Sequence, residues 1–185
     1  MITKGKMKPL CSLCLILICG FCLATEHQIS LQVKRQGTKA SVKTNWQTDY
    51  GSSNKDTYRQ LTVAIEMKNM SRDKDAFIVD WYFLARSLKN NSLKIFDSGG
   101  ENITLQPMEA KKLLKQSKEI MANVAIYAAL GSQEKEGEKV EGYIVTLSDK
   151  KGKVFAVAAS SFSLEKLANN TEKMNQLIDK IKIDE

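Results

Sequence analysis

Lys139–Ser160, KVEGYIVTLSDKKGKVFAVAAS, decides how the rest of the chain is read. Tyr143, Val145 and Leu147 alternate with Ile144, Thr146 and Ser148, the two-residue period of a strand whose side chains point to opposite faces. Asp149-Lys150-Lys151-Gly152 then forms a four-residue loop, with glycine at the position that needs a positive φ. Val154–Ala159 returns as a second apolar strand, which makes the stretch a β-hairpin.

Strands of the same kind lie N-terminal to it. Ile29, Leu31 and Val33 alternate, as do Leu61, Val63, Ile65 and Met67. Phe77, Val79, Trp81 and Phe83 occupy one face of a longer strand, and Ile78, Asp80, Tyr82 and Leu84 the other. Two partly apolar faces predict a central strand. Leu93–Phe96 and Ile103–Pro107, the latter ending at a proline corner, read as short strands separated by a break at Ser98-Gly99-Gly100. Three regions resist the period. The polar stretch 37–56 is expected to be irregular, 108–130 fits helix or strand equally, and the charged 133–139 reads as a loop. After the hairpin the period changes. Ser163 is a candidate N-cap, and Leu164, Leu167, Thr171, Met174, Ile178 and Ile181 recur at 3-4-3-4-3 spacing, which predicts one amphipathic helix of about five turns. The expected fold is mainly β: an antiparallel immunoglobulin-like β-sandwich over 25–162, with 25–60 partly irregular, followed by an amphipathic helix over 163–185.

Residues 1–24 read differently. All four cysteines fall in CSLCLILICGFC, Cys11–Cys22, spaced C-x2-C-x4-C-x2-C. A zinc ribbon separates its pairs by about 15–20 residues, whereas here only Leu15–Ile18 intervene and offer no polar second shell. Lys4, Lys6 and Lys8, the apolar run Leu10–Leu23 and small residues at the end instead make a secretory signal peptide, cut after Ala24. The run is shorter than the ~20 residues of a membrane-spanning helix. A lipid anchor at Cys22 is the rival reading, and Phe21, a bulky residue directly before that cysteine, disfavours it. The expectation is export to the periplasm or the extracellular space. Membrane attachment is expected only with lipidation or an uncleaved leader.

Of the net +7 charge, three lysines lie in the leader, so the remainder carries 25 basic and 21 acidic residues, or +4. The signs are interspersed, without the basic stripe that tracks phosphates, and export further excludes nucleic acid as a partner. His27 is the single histidine and sits three residues beyond the expected cut, in a segment expected to be mobile. That leaves no Ser-His-Asp set and no His/Cys metal set. No catalytic, cofactor or metal residue is assigned, and no cofactor is expected. Asp80, flanked by Trp81 and Tyr82, is the best candidate if carboxylates alone do chemistry. Trp46, Tyr50 and Tyr82 are the candidate ligand or partner surface, because amphipathic aromatics stack on sugars and anchor proteins. Leu164, Leu167, Met174, Ile178 and Ile181 are the candidate helix interface.

The succession LTVAIEMKN (Leu61–Asn69), FIVDWYFLA (Phe77–Ala85), ITLQPME (Ile103–Glu109) and GYIVTLSDKKGKV (Gly142–Val154) resembles small exported bacterial immunoglobulin-like domains of the FxLYD-like kind. The shared features are a Lys-Asn turn, a wide aromatic central strand and a Leu-x-Pro corner, over about 100 residues. The helix after Ser163 departs from the simplest form. The resemblance implies fold and compartment, and no catalytic residue. Two functions follow as expectations. The first is a non-enzymatic envelope module for binding or assembly, contacting another envelope protein or itself through the C-terminal helix. The alternative is a carboxylate-dependent, carbohydrate-active hydrolase or carbohydrate-binding module.

Overall fold

A computed structural model describes residues 27–47, 52–127 and 132–183. Residues 1–24, with Cys22 and the expected cut after Ala24, lie outside the described residues, as does Tyr50. The described chain is mainly antiparallel β, with helices only at its C-terminal end, as the sequence predicts. The strands are β1 (Ile29–Gln47), β2 (Ser52–Asn69), β3 (Asp75–Ser87), β4 (Leu93–Leu105), β5 (Ala110–Gln116), β6 (Ile120–Tyr127), β7 (Ser132–Ser148) and β8 (Val154–Ala159). Helices α1 (Phe162–Ala168) and α2 (Thr171–Ile183) follow.

Every pairing is antiparallel, in the order β1-β2-β6-β7-β3-β4, with β5 on β2 and β8 on β7. Two long strands change partner along their length. β2 pairs with β6 through Ser52–Arg59 and with β5 through Thr62–Lys68. Buried Ser117 fills the gap between those partners: its N–H donates to the Leu61 carbonyl at 2.9 Å, and its Oγ accepts the Leu61 N–H at 3.0 Å. β7 pairs with β6 through Ser132–Gly137, then with β3 and β8 through its C-terminal half.

The alternating residues meet as expected. Leu61, Val63, Ile65 and Met67 of β2 lie in one buried cluster with Phe77, Val79 and Phe83 of β3 and Tyr143, Val145 and Leu147 of β7. Ile29, Leu31 and Val33 pack against it from β1. A second cluster forms on the opposite face of β3 and β7, where Leu84, Ile95 and Ile144 pack with Leu164, Met174 and Leu177 of the helices. Burial at about 25 cal/mol per Å² of apolar surface makes these two clusters the main source of stability. Buried Asn69 ties the turns at one end. Its Nδ2 donates to the carbonyls of Asp73 at 2.7 Å and Gln106 at 3.1 Å, and its Oδ1 accepts the Ser71 N–H at 2.9 Å.

Several local expectations are corrected. The ambiguous 108–130 contains β5 and β6. The described parts of 37–56 belong to β1 and β2, and 133–139 is the first half of β7 rather than a loop. In 37–56 and 133–139 cross-strand pairing imposes the extended form where no buried face writes a hydrophobic period. Ser98-Gly99-Gly100 does not break the chain, since β4 runs through it. The glycines sit opposite Trp81 and Asp80, and a Cβ at Gly99 would lie 2.5 Å from the Trp81 ring. The expected single helix is two. Its N-cap is Ser161 rather than Ser163, with Ser161 Oγ accepting the Leu164 N–H at 3.4 Å. Asn169 caps the end of α1, and Asn170 Oδ1 accepts the Lys173 N–H at 3.0 Å to start α2. His27 is not in a mobile segment: its ring stacks on Phe155 with centroids 4.3 Å apart, and its Nδ1 lies 2.8 Å from Asp75 Oδ1.

Candidate functional site: a carboxylate cleft beneath the C-terminal helices

The second apolar cluster does not cover the whole outer face of β3 and β7. Beside it a cleft of about 360 Å³ remains open between the sheet and the helices. β3 contributes Ile78, Asp80 and Tyr82 to its floor, alternate residues that share one face. β7 contributes Thr146, opposite Asp80, and Ser148, opposite Ile78. Val154 of β8 closes one side, and Thr171, Met174, Asn175 and Ile178 of α2 form the roof. The lining combines aliphatic walls with a few converging polar groups, the usual makeup of a small-ligand site.

Asp80 is the one charged residue among the described residues lining the cleft. Among the described residues no cation forms an ion pair with it. Burial pushes its carboxyl above the ordinary value, because removal of water disfavours the ionised form. Burial likewise pushes the Tyr82 phenol up to about 12, with the Asp80 charge adding to the effect. Gly100 makes the seat for the carboxylate, since a Cβ there would lie 2.5 Å from Asp80 Oδ1.

A second charged depression is different in kind. A groove of about 340 Å³ on β1, β2 and β5 is lined by Glu66, Lys68, Lys111 and Lys112. Glu66 there is held by Lys112 at 3.0 Å and Lys34 at 3.7 Å, and its hydrogen bond to Lys112 is the main cause of its lowered pKa. Glu101 is likewise shared between Lys115 at 2.9 Å and Lys111 at 3.3 Å. Asp80 thus stands apart as a carboxylate with an open cavity in front of it.

Of the residues singled out from sequence, Asp80, Tyr82, Met174 and Ile178 are brought together in this cleft. Trp46 lies in β1 opposite Ser53, and its side chain lies outside the described ones. Leu164, Leu167, Met174 and Ile178 make their helix interface with the molecule's own sheet. Ile181 belongs to α2, and its side chain lies outside the described ones. Trp81 is half-buried against the main core, with Lys115 Nζ 4.2 Å above its ring. Thr146, Ser148, Val154 and Asn175 were not anticipated. The alternation of Thr146 and Ser148 with Val145 and Leu147 was the one signal that pointed to them. Among the described residues no group of three or more His, Cys, Asp or Glu is placed to hold a metal, and no helix is long and apolar enough to cross a membrane.

No family model matches the chain, and no curated protein matches it. Among solved structures it is similar to a beta-glucosidase from Kluyveromyces marxianus in complex with glucose, at 19% identity and a TM-score of 0.32, over 72% of this chain and 13% of that one. It is similar to a Beta-D-glucoside glucohydrolase from Trichoderma reesei at 8% identity and a TM-score of 0.34, over 73% of this chain and 19% of that one. A third likeness, to the structural genomics target SoR45, has 14% identity and a TM-score of 0.30, over 69% of this chain and 91% of that one. The chain therefore spans less than a fifth of either glycosidase. TM-scores of this size carry nothing about activity.

Proposed function

We propose that the protein is an exported, non-enzymatic binding module of the cell envelope, built on an immunoglobulin-like β-sandwich of the FxLYD-like kind, and that its ligand site is the cleft between β3, β7 and α2. The observation that carries the reading is Asp80, a half-buried carboxylate without an ion-pair partner among the described residues, at the floor of a cavity with aliphatic walls and a few uncharged polar groups. Export is supported by the basic and apolar pattern of residues 1–24. A binding role is supported by the makeup of the cleft. Two-carboxylate glycoside chemistry uses acids about 5–10 Å apart, and Asp80 is the one carboxylate among the described residues that line it. The seam of the C-terminal helices is taken up by the sheet, so an envelope partner would meet other surfaces.

Expression in a bacterial host with the chain's own leader tests the compartment. A soluble periplasmic product whose intact mass begins at Thr25 is the expected result. An uncut cytoplasmic product would overturn export, and an acylated mass retaining Cys22 would overturn the free form and place the module on a membrane. A small-fragment screen by amide NMR tests the site. Shifts concentrated at Asp80, Tyr82, Thr146 and Asn175 are expected, and shifts only elsewhere would remove the cleft from the reading.

A further inference from the structure

The cleft also specifies what kind of ligand suits it, an inference that rests on reading this cavity as the binding site. We infer that it takes a small organic ammonium ion: a protonated amine on a short aliphatic body, with the nitrogen at Asp80 and the carbon chain between Ile78, Val154, Met174 and Ile178.

Charge gives the first argument. Among the described residues Asp80 is the one charge in the lining, and it is negative. An anionic ligand would add a like charge in a partly dehydrated place, whereas a cation supplies the partner that the described residues do not provide. The raised affinity of Asp80 for a proton agrees with this, since burial disfavours its ionised form and a bound cation would offset that cost. Donor and acceptor count gives the second. An ammonium has three donors and no acceptor. Thr146, Ser148 and Tyr82 line the same floor as Asp80, and each carries a hydroxyl oxygen able to accept such a donor. The Tyr82 ring adds an aromatic wall, and such faces attract cations. Size gives the third. The cleft, about 360 Å³, lies at the small end of ligand pockets, and aliphatic residues from three elements line it. A bare metal ion would find one carboxylate where hard cations require several oxygen ligands of that strength.

The test is an amide NMR titration of the ¹⁵N-labelled protein recovered from expression with its own leader. The probes are pentylammonium, pentanol, pentanoate and N-acetyl-lysine methylamide, which share a chain and differ in the head or its attachment. Pentylammonium is expected to shift Asp80, Tyr82, Thr146 and Asn175 and to bind more tightly than the other three. Asp80→Asn is expected to weaken it by about tenfold or more, the worth of one hydrogen bond to a charged group, while the rest of the amide spectrum stays unchanged. Equal binding of pentanol, or unchanged affinity in Asp80→Asn, would overturn the charge selection and leave the cleft as an apolar site. Tighter binding of the lysine derivative would overturn the small-amine assignment in favour of a lysine side chain. Absence of cleft shifts with every probe would overturn both this inference and the reading of the site on which it rests.

Discussion

At Asp80 the proposed ligand-binding role and stability pull in opposite directions. The carboxylate is held in the folded chain where burial raises its pKa, and in the unfolded chain it titrates near the ordinary 3.8. The folded state therefore binds this proton more readily than the unfolded state does. Below the unfolded pKa both states are protonated and the side chain costs nothing. As pH rises through the raised folded pKa, ionisation costs stability in the folded state and that stability is lost. Asparagine keeps the shape and cannot ionise. Asp80→Asn is accordingly expected to melt higher than the wild type at neutral pH, with the gap closing on acidification, in scans from about pH 3 to about pH 8. A variant that melts lower at neutral pH would show that Asp80 has a stabilising partner. The residue pattern made Asp80 and Tyr82 legible as neighbours on one strand face. It did not show that a carboxylate there would look into a cavity, because the roof comes from residues about 90 positions later in the chain.

The elements that could be read from sequence are those with at least one well-buried face. β2, β3 and the β7–β8 hairpin alternate because one set of side chains enters the main core. β1 beyond Gly37 and the first half of β7 could not be read, because they pair with neighbours but bury little on either side. The C-terminal helix was legible as amphipathic and illegible as two pieces. Its spacing continues through Asn169-Asn170, while the capping side chains on both sides of that pair end one helix and begin the next. These helices hold the roof of the cleft through Leu164, which is buried among Leu84, Ile95 and Ile144 in the cluster that also contains Met174. Leu164→Ala removes a buried side chain and is expected to cost about 2–5 kcal/mol in urea denaturation. Phe162, two residues earlier, is 70% exposed and touches Lys166 through its ring. Phe162→Ala should stay within about 0.5 kcal/mol of the wild type. Equal losses in the two variants would mean that the helices are not seated on the sheet through Leu164.

At the scale of the molecule, β7 joins two unlike regions. Its C-terminal half runs through the main core, with Tyr143, Val145 and Leu147 buried on one face and Ile144 on the other. Its first half, Ser132–Gly137, belongs to a four-stranded arm with β6, the first part of β2 and the last part of β1. Of the described side chains in that arm, Ile120 and Ala125 are the buried apolar ones, while Val42, Met121 and Ile126 are 44–54% exposed. Polar and cation–π pairs do the cross-strand work there. Asn123 Nδ2 donates to Asp56 Oδ1 at 2.5 Å, and Lys43 Nζ sits 5.2 Å from the Tyr58 ring centre. Such pairs contribute roughly 0.2–1 kcal/mol each, far less than a buried core. The arm should therefore open without unfolding the body, as a separate unit of lower stability. Hydrogen exchange makes the comparison within a single strand. Only β7 amides bonded to a neighbouring strand are compared, so that unpaired edge groups do not bias the result. Those in Ser132–Gly137 are expected to exchange at least about 100-fold faster than those in Tyr143–Leu147. Their exchange should also respond weakly to added urea, because opening the arm exposes little new surface. Uniform protection along β7, rising and falling together with urea, would mean that arm and body unfold as one and that the buried core, not local pairing, holds the whole strand.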